Sequence, residues 1–181
     1  MLVVFNAKCL QQRVVSMLPE EITKFIGQTY DTSIFEVEKE SIRRFADAVG
    51  DANPLYWDAE YAKKSRYGCI IAPPGFISSL WFWGRSAKQS GKEPASVTSG
   101  LYSLIDHLSR VGYRYTLDSG IDYEFFQPVR AGDTIRSTSV IKDLIERGGK
   151  EGKAVFLITE TTYTNQNDET VAIARATYIQ H

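Results

Sequence analysis

A chain that carries the segment Phe76 to Trp83 must bury it, because nearly every side of this two-turn helix is apolar. Pro73 and Pro74 precede the segment, and Gly84 follows it. Helices favour proline at their first positions and glycine just past their end, so the segment has natural boundaries. The sequence therefore predicts one buried helix, and the rest of the chain has to cover it.

The last third of the chain contains the residues that are expected to pack over this helix. Its apolar and polar residues alternate and are rich in Val, Ile, Thr, Tyr and Phe, which is typical of strands. Four strands are predicted, at residues 121–127, 133–145, 154–164 and 170–179. Turn residues separate them at Arg130 to Asp133, at Gly148-Gly149 and at Asn165 to Asp168. The last three strands are expected to form an antiparallel meander. The predicted class is α+β, an antiparallel sheet wrapped around one long buried helix.

Upstream, the patterns predict a helix, a strand and a second helix. Pro19-Glu20-Glu21 suits the first turn of a helix. Thr32 to Val37 is a short strand. Glu38 to Val49 is an amphipathic helix, with Gly50 as the residue that ends it.

The segments on either side of the buried helix are predicted from their turn residues and periodicity. Residues 51–58 contain Asp and Asn around a Pro, which predicts a loop. Asp58 is placed to cap a short helix through Ala62. Residues 85–99 are polar and are expected to be an exposed loop, and residues 101–111 are expected to be helical.

The chain has 181 residues, which fits a single domain, with residues 1–30 as a lead-in and residues 85–114 as an extended insert. Its 21 basic and 22 acidic residues leave a net charge of −1, which disfavours nucleic acid or a membrane surface as a partner. No stretch approaches the roughly 20 apolar residues of a membrane span, and residues 1–5 are too short for a signal peptide. Two cysteines fit a reducing compartment, so a cytoplasmic location is predicted.

Two histidines and two cysteines are too few for a zinc site built on Cys and His, so no metal is expected. His107 lies on the helix predicted at residues 101–111 and is expected to face solvent. His181 is the last residue given and is expected to be frayed. Any chemistry that needs a histidine is therefore restricted to two poorly placed side chains.

Two motifs, taken in order, resemble those of a known family. The first is Gly50-Asp51-Ala52-Asn53-Pro54-Leu55 with Asp58, followed by Ala72-Pro73-Pro74-Gly75. The second runs from Phe126 to Thr134. Together they resemble the MaoC-like (R)-specific enoyl-CoA hydratases and 3-hydroxyacyl thioester dehydratases of hot-dog fold. The resemblance covers about residues 20–180, and the double proline is most similar to the N-terminal half-type, which pairs with a second hot-dog.

In active members of that family the loop reads Gly-Asp-x-Asn-Pro-Leu-His-x-Asp, and its Asp and His together activate water. The resemblance places Asp51 at the acid position and Asn53 at the residue that holds the loop. Tyr56 stands where the histidine is expected. A phenol has a pKa near 10 rather than about 6.5, so it is a poor base at neutral pH. The catalytic candidates are thus Asp51, Tyr56 and Asn53.

The resemblance also assigns Pro74, Gly75 and Trp57 to substrate binding. A backbone N–H at Gly75 would hold the thioester oxygen at the start of the buried helix, where the helix dipole favours negative charge. Glycine lets a ligand approach that backbone closely. Arg130 is expected to be a turn residue, with contact to a phosphate of CoA or of a carrier arm as the alternative.

Three functions remain open. The first is a subunit of a hydratase or dehydratase whose partner, a second hot-dog chain, carries the Asp and His. The second is a self-sufficient homodimer that uses Asp51 and Tyr56, and the third is a non-catalytic protein that binds acyl thioesters. The substrate would be a CoA or acyl-carrier thioester, with no further cofactor. A hot-dog thioesterase is disfavoured, because residues 75–83 contain no Asp or Glu.

Overall fold

The computed structural model describes residues 18–83, 99–149 and 152–181. Its five strands form one antiparallel sheet in the order β1-β3-β4-β5-β2. The strands are β1 (Thr29–Glu36), β2 (Thr116–Phe125), β3 (Thr134–Gly149), β4 (Gly152–Thr164) and β5 (Thr170–Gln180). The helices are α1 (Glu20–Thr23), α2 (Lys39–Ala48), α3 (Pro54–Trp57), α4 (Ala59–Lys64), α5 (Phe76–Trp83) and α6 (Ser99–Arg110).

Most predicted elements are present, and the meander β3-β4-β5 is confirmed. Three predictions need correction. The loop expected at residues 51–58 contains the one-turn helix α3, because Asn53 caps it and Pro54 occupies its first turn. β2 begins at Thr116 rather than at residue 121. β3 continues through Gly148, where the sequence predicts a turn. The loop expected at residues 85–99 falls outside the described residues, except that Ser99 begins α6.

The core consists of two apolar clusters on the inner face of the sheet, one under each long central helix. In the first, Phe76, Ile77 and Leu80 of α5 pack with Ile135 and Ala172 of the sheet. Each large side chain removed from water contributes about 1.5–3 kcal/mol, so α5 is held mainly by this burial.

The second cluster lies under α6. Leu104 and Leu108 are completely buried against Leu144 and Leu157 of the sheet. The stretch at residues 85–114, expected to be an extended insert, therefore includes a helix that belongs to the core. The sheet covers two helices rather than one.

The outermost strand β2 is the least covered part of the sheet. Ile121 and Phe125 project from it on the same face as Tyr123, which packs against the first cluster, yet about half of each side chain is exposed. Phe126, just past the strand, is exposed to a similar extent. Among the described residues, no helix is both long and apolar enough to pass through a membrane.

Candidate active site

The loop that follows α2 is shaped by its own polar side chains. Gly50 adopts a φ of 69°, and the Asp51 N–H donates to the carbonyl of Ala46, which ends the helix. The Asp51 carboxylate then accepts the N–H of Asn53 at 3.1 Å. The Asn53 side chain accepts the N–H of Leu55 at 3.1 Å, which caps α3. These bonds hold Asp51 and Asn53 at the surface end of the loop.

Tyr56 lies on α3 and is buried in the first apolar cluster, with 7% of its surface exposed. Burial raises the pKa of its hydroxyl, and the nearby Asp51 charge raises it further, while a hydrogen bond with Asn53 opposes the shift. The phenol is therefore protonated at neutral pH. It can donate a hydrogen bond near Asp51, but it cannot take a proton from water.

Trp57, assigned to substrate binding by the resemblance, is tied into the loop. Its indole N–H donates to the backbone carbonyl of Asp51 at 3.0 Å. Arg43 of α2 donates to the backbone carbonyl of Trp57 at 2.8 Å. The half-buried indole thus fixes the position of Asp51. The sequence patterns did not indicate Arg43, because a helix surface arginine carries no local signal of a contact 14 residues away.

Gly75 and the exposed Pro74 directly precede α5. Within the described part of the chain the Gly75 N–H donates no backbone hydrogen bond. A Cβ built on Gly75 would lie 3.4 Å from the ring of Phe45, which stacks edge-to-face on Phe76. Phe45 belongs to α2, whose end begins the Asp51 loop. The structure therefore places the Gly75 N–H and the Asp51 loop beside the same end of α2.

The remaining candidates lie elsewhere. His107 is half-buried rather than solvent-facing: its ring contacts Phe25 edge-on, and its Nδ1 is 2.7 Å from the carbonyl of Ser103. His181 is not frayed, because its backbone pairs with Tyr115. Arg130 is an exposed turn residue whose N–H donates to Asp133. The aromatic run Trp81-Phe82-Trp83 is expected in the core or a subunit interface, with an acyl pocket as the alternative, and its side chains lie outside the described part of the structure.

Comparison with known proteins gives a family match. Residues 24–174 match the family model described as "FAS1-like, dehydratase domain region". The chain is 36% identical over 129 residues to a "UPF0336 protein" of Streptomyces avermitilis, which covers 70% of this chain and 75% of that protein. It is 27% identical over 135 residues to a "Probable enoyl-CoA hydratase alpha subunit" of Thermomonospora curvata, covering 74% of this chain and 41% of that protein.

Two solved structures share the fold. The ChsH1-ChsH2 complex from Mycobacterium tuberculosis superposes with a TM-score of 0.67 at 18% identity, covering 83% of this chain and 81% of the matched chain. The HadBC (3R-hydroxyacyl-ACP dehydratase) complex of the same organism has a TM-score of 0.61 at 23% identity, covering 87% and 98%. Both are complexes of two different chains by name.

Proposed function

Since the chain belongs to the family of FAS1-like dehydratase regions and has the hot-dog fold of MaoC-like dehydratases, we propose that it is a subunit of an acyl-thioester hydratase or dehydratase. The reaction is the reversible addition of water to a trans-2-enoyl thioester, on CoA or an acyl-carrier protein, to give the 3-hydroxyacyl thioester. In this proposal the chain shapes the acyl-binding site. A second hot-dog chain supplies the Asp and His that activate water.

The observation that carries the proposal is the buried Tyr56. Water attacks C3 of the double bond only if a base removes its proton, and the negative charge then moves to the thioester oxygen until C2 is protonated. The Tyr56 hydroxyl, with its raised pKa, is unsuited to the first of these steps. An otherwise intact loop with an inert residue at the base position is what a non-catalytic partner subunit would carry.

The Gly75 N–H is the proposed contact for the thioester oxygen. Within the described chain it donates to no backbone acceptor, and it lies at the positive end of the α5 dipole. A preorganised N–H there would stabilise the charge that develops on the oxygen. Pro74 would border the same position, and Trp57 would keep the Asp51 carbonyl in place.

The exposed edge of β2 supports the proposal that a partner chain lies beside this strand. An open strand with exposed apolar side chains on its inner face is a surface that other chains pair with. Two structural neighbours are named as complexes of two chains, and one relative is named as an alpha subunit. These names support a complex of this chain with a different hot-dog chain. The proposed partner is a hot-dog chain whose loop retains the histidine.

The test is hydration of a trans-2-enoyl-CoA by this chain alone, by the partner alone and by the co-purified pair. We expect full activity only for the pair. Removing the partner's loop histidine should lower kcat by about 10²–10⁴-fold, the usual contribution of a general base. Asp51→Asn and Tyr56→Phe in this chain should leave kcat within about twofold, because the proton leaves through the partner's side chains.

Other outcomes would identify the alternatives. Full activity of the isolated chain, lost on Asp51→Asn, would show a self-sufficient homodimer. Binding of acyl-CoA without turnover in any combination with a histidine-bearing hot-dog chain would show a non-catalytic binding protein.

A further inference from the structure

Between the two apolar clusters, the inner face of the sheet carries polar and small residues. One row crosses all five strands: Asp31 lies beside Ser139, then Thr161, Ala174 and finally Tyr123 on the outermost strand. Ser139 is buried and its hydroxyl is 2.8 Å from that of Thr161. A core that needed only stability would favour larger apolar side chains here, since buried hydroxyls gain little over apolar groups.

Four tyrosines surround the buried hydroxyls of this row: Tyr123 at its end, and Tyr30, Tyr163 and Tyr178 beside it. Tyr163 is part of the first apolar cluster, and Tyr123 packs against that cluster. Tyr30 and Tyr178 pack against the second apolar cluster. We call these four residues and Thr161 the tyrosine groove. Burial raises the pKa of Tyr163, and the neighbouring Tyr123 and Tyr30 raise it further. Burial and the same two neighbours, with Asp118, raise the pKa of Tyr178 to about 12. Tyr30 and Tyr123 are thus near enough to both Tyr163 and Tyr178 to affect their pKa values.

The groove is accessible in part. Tyr30, Thr161 and Tyr178 are half-buried, whereas a sealed core would bury them fully. Tyr30 lies near the hydroxyl groups of Thr159, Ser139 and Thr161, which oppose the rise that burial causes in its pKa. Within the described residues no side chain hydrogen-bonds to the hydroxyl of Tyr178. The Tyr178 hydroxyl is thus a groove donor for which the described part of the chain supplies no side-chain acceptor.

The groove is connected to the proposed thioester position. Ser78 lies one turn along α5 from Gly75, and its hydroxyl donates to the Gly75 carbonyl at 2.7 Å. The Ser78 hydroxyl also lies near that of Tyr123, the groove residue on the edge strand, where it opposes the rise that burial causes in the pKa of Tyr123. An acyl group whose thioester oxygen is at Gly75 would therefore pass Ser78 and Tyr123 into the groove.

We propose that the tyrosine groove binds the acyl part of the substrate and selects a planar, ring-containing acyl group that carries a hydroxyl or keto oxygen. This inference rests on the proposed function of the chain as an acyl-binding subunit. Tyrosine rings pack well against a flat ring, and their hydroxyls donate to its oxygen. A straight alkyl chain would remove water from these hydroxyls and offer no hydrogen-bond partner in its place. A polar group left unpaired in this way weakens binding strongly.

The test compares three thioesters: trans-cinnamoyl-CoA, para-hydroxycinnamoyl-CoA and the straight-chain trans-2-octenoyl-CoA. Their dissociation constants are measured by calorimetry on the full-length chain co-purified with a hot-dog partner. We expect para-hydroxycinnamoyl-CoA to bind about tenfold more tightly than cinnamoyl-CoA, the effect of one added hydrogen bond. Octenoyl-CoA should bind most weakly.

Tyr178→Phe should remove the tenfold difference and leave the affinity for cinnamoyl-CoA unchanged, which also shows that the variant is folded. Thr161→Val is the second variant, with the same expected direction. Tyr61→Phe, at an exposed tyrosine of α4, is the matched control and should keep the tenfold difference.

Tightest binding of octenoyl-CoA, or a difference that survives both groove variants, would overturn the groove proposal while leaving the subunit function in place. If none of the three thioesters binds, both proposals are wrong.

Discussion

At the scale of single residues, the loop after α2 is stabilised by side chains that accept backbone N–H groups. Asp58 shows this most simply: its carboxylate accepts the N–H of Glu60 at 2.8 Å and that of Tyr61 at 3.0 Å. We expect Asp58→Ala to lower the free energy of unfolding by about 1 kcal/mol, because both donors lose their acceptor. The measurement is a urea unfolding curve.

Asp58→Asn is the matched control, since asparagine caps helices about as well as aspartate. It should change the unfolding midpoint by less than half as much as Asp58→Ala. Equal losses in the two variants would mean that the carboxylate charge, rather than the cap, stabilises α4.

The caps could be predicted from the sequence because they are local. Asp58 binds an N–H two residues away, and Gly50 ends its helix within one turn. The tyrosine groove could not be predicted. Its members come from β1, β2, β4 and β5, so their proximity depends on the strand order and register, which no short pattern encodes.

At the scale of elements, α6 approaches β1 so closely that one position requires glycine. A Cβ built on Gly100 would lie 2.9 Å from the Cβ and 3.2 Å from the Cα of Tyr30. Because backbone atoms cannot move aside easily, we expect Gly100→Ala to destabilise the fold by about 1–3 kcal/mol, although alanine normally favours a helix. The check is the unfolding free energy in urea.

Gly148→Ala on β3 is the control, since no atom lies within 4 Å of the Cβ it would gain. Its effect should stay within about 0.5 kcal/mol. If Gly100→Ala proved equally neutral, α6 would be able to shift away from β1.

The start of strand β2 could not be predicted from the sequence. The alternating pattern predicts the strand only from Ile121, and the preceding Asp118 and Gly120 are residue types that strands disfavour. In the structure the register of β2 against β5 shifts between Asp118 and Gly120, and the strand continues on both sides of this irregularity. Pairing with β5 outweighs the local preference, as is common for strands. By contrast, α5 follows from its apolar composition and its flanking proline and glycine, and α2 follows from its amphipathic periodicity, so both signals are local.

At the scale of the whole molecule, Tyr113 makes stability depend on alkaline pH. Its hydroxyl donates to Glu146 at 2.6 Å, and burial together with this carboxylate raises its pKa to about 12. In the unfolded chain tyrosine titrates near 10. The folded state thus holds the proton more tightly, so this contribution is complete below about pH 10 and is lost as the pH rises toward 12.

We expect Tyr113→Phe to flatten the fall in the urea midpoint between about pH 10 and 12, with lower stability at neutral pH. Tyr102→Phe, at an exposed tyrosine of α6, should keep the slope of the unchanged protein. An unaltered slope in Tyr113→Phe would assign the alkaline loss to Tyr163 and Tyr178.

Assembly is the other property of the whole molecule, and the two sheet edges make it testable. β1 and β2 are both outermost strands, and each exposes one isoleucine by half or more, Ile34 at 59% and Ile121 at 50%. The two differ in their surroundings: on β2, Phe125 and Phe126 are exposed as well, so a larger apolar area would be covered by a partner. A glutamate within such an area would be buried without a partner charge, which costs several kcal/mol.

We therefore expect Ile121→Glu to abolish co-purification with a histidine-bearing hot-dog chain and the hydration activity of the pair, while Ile34→Glu leaves both intact. Circular dichroism of the isolated variants should be unchanged, since both side chains are exposed in the single chain. Loss of the pair with Ile34→Glu alone would place the partner on β1, at the far edge of the sheet from Tyr123 and the groove it borders.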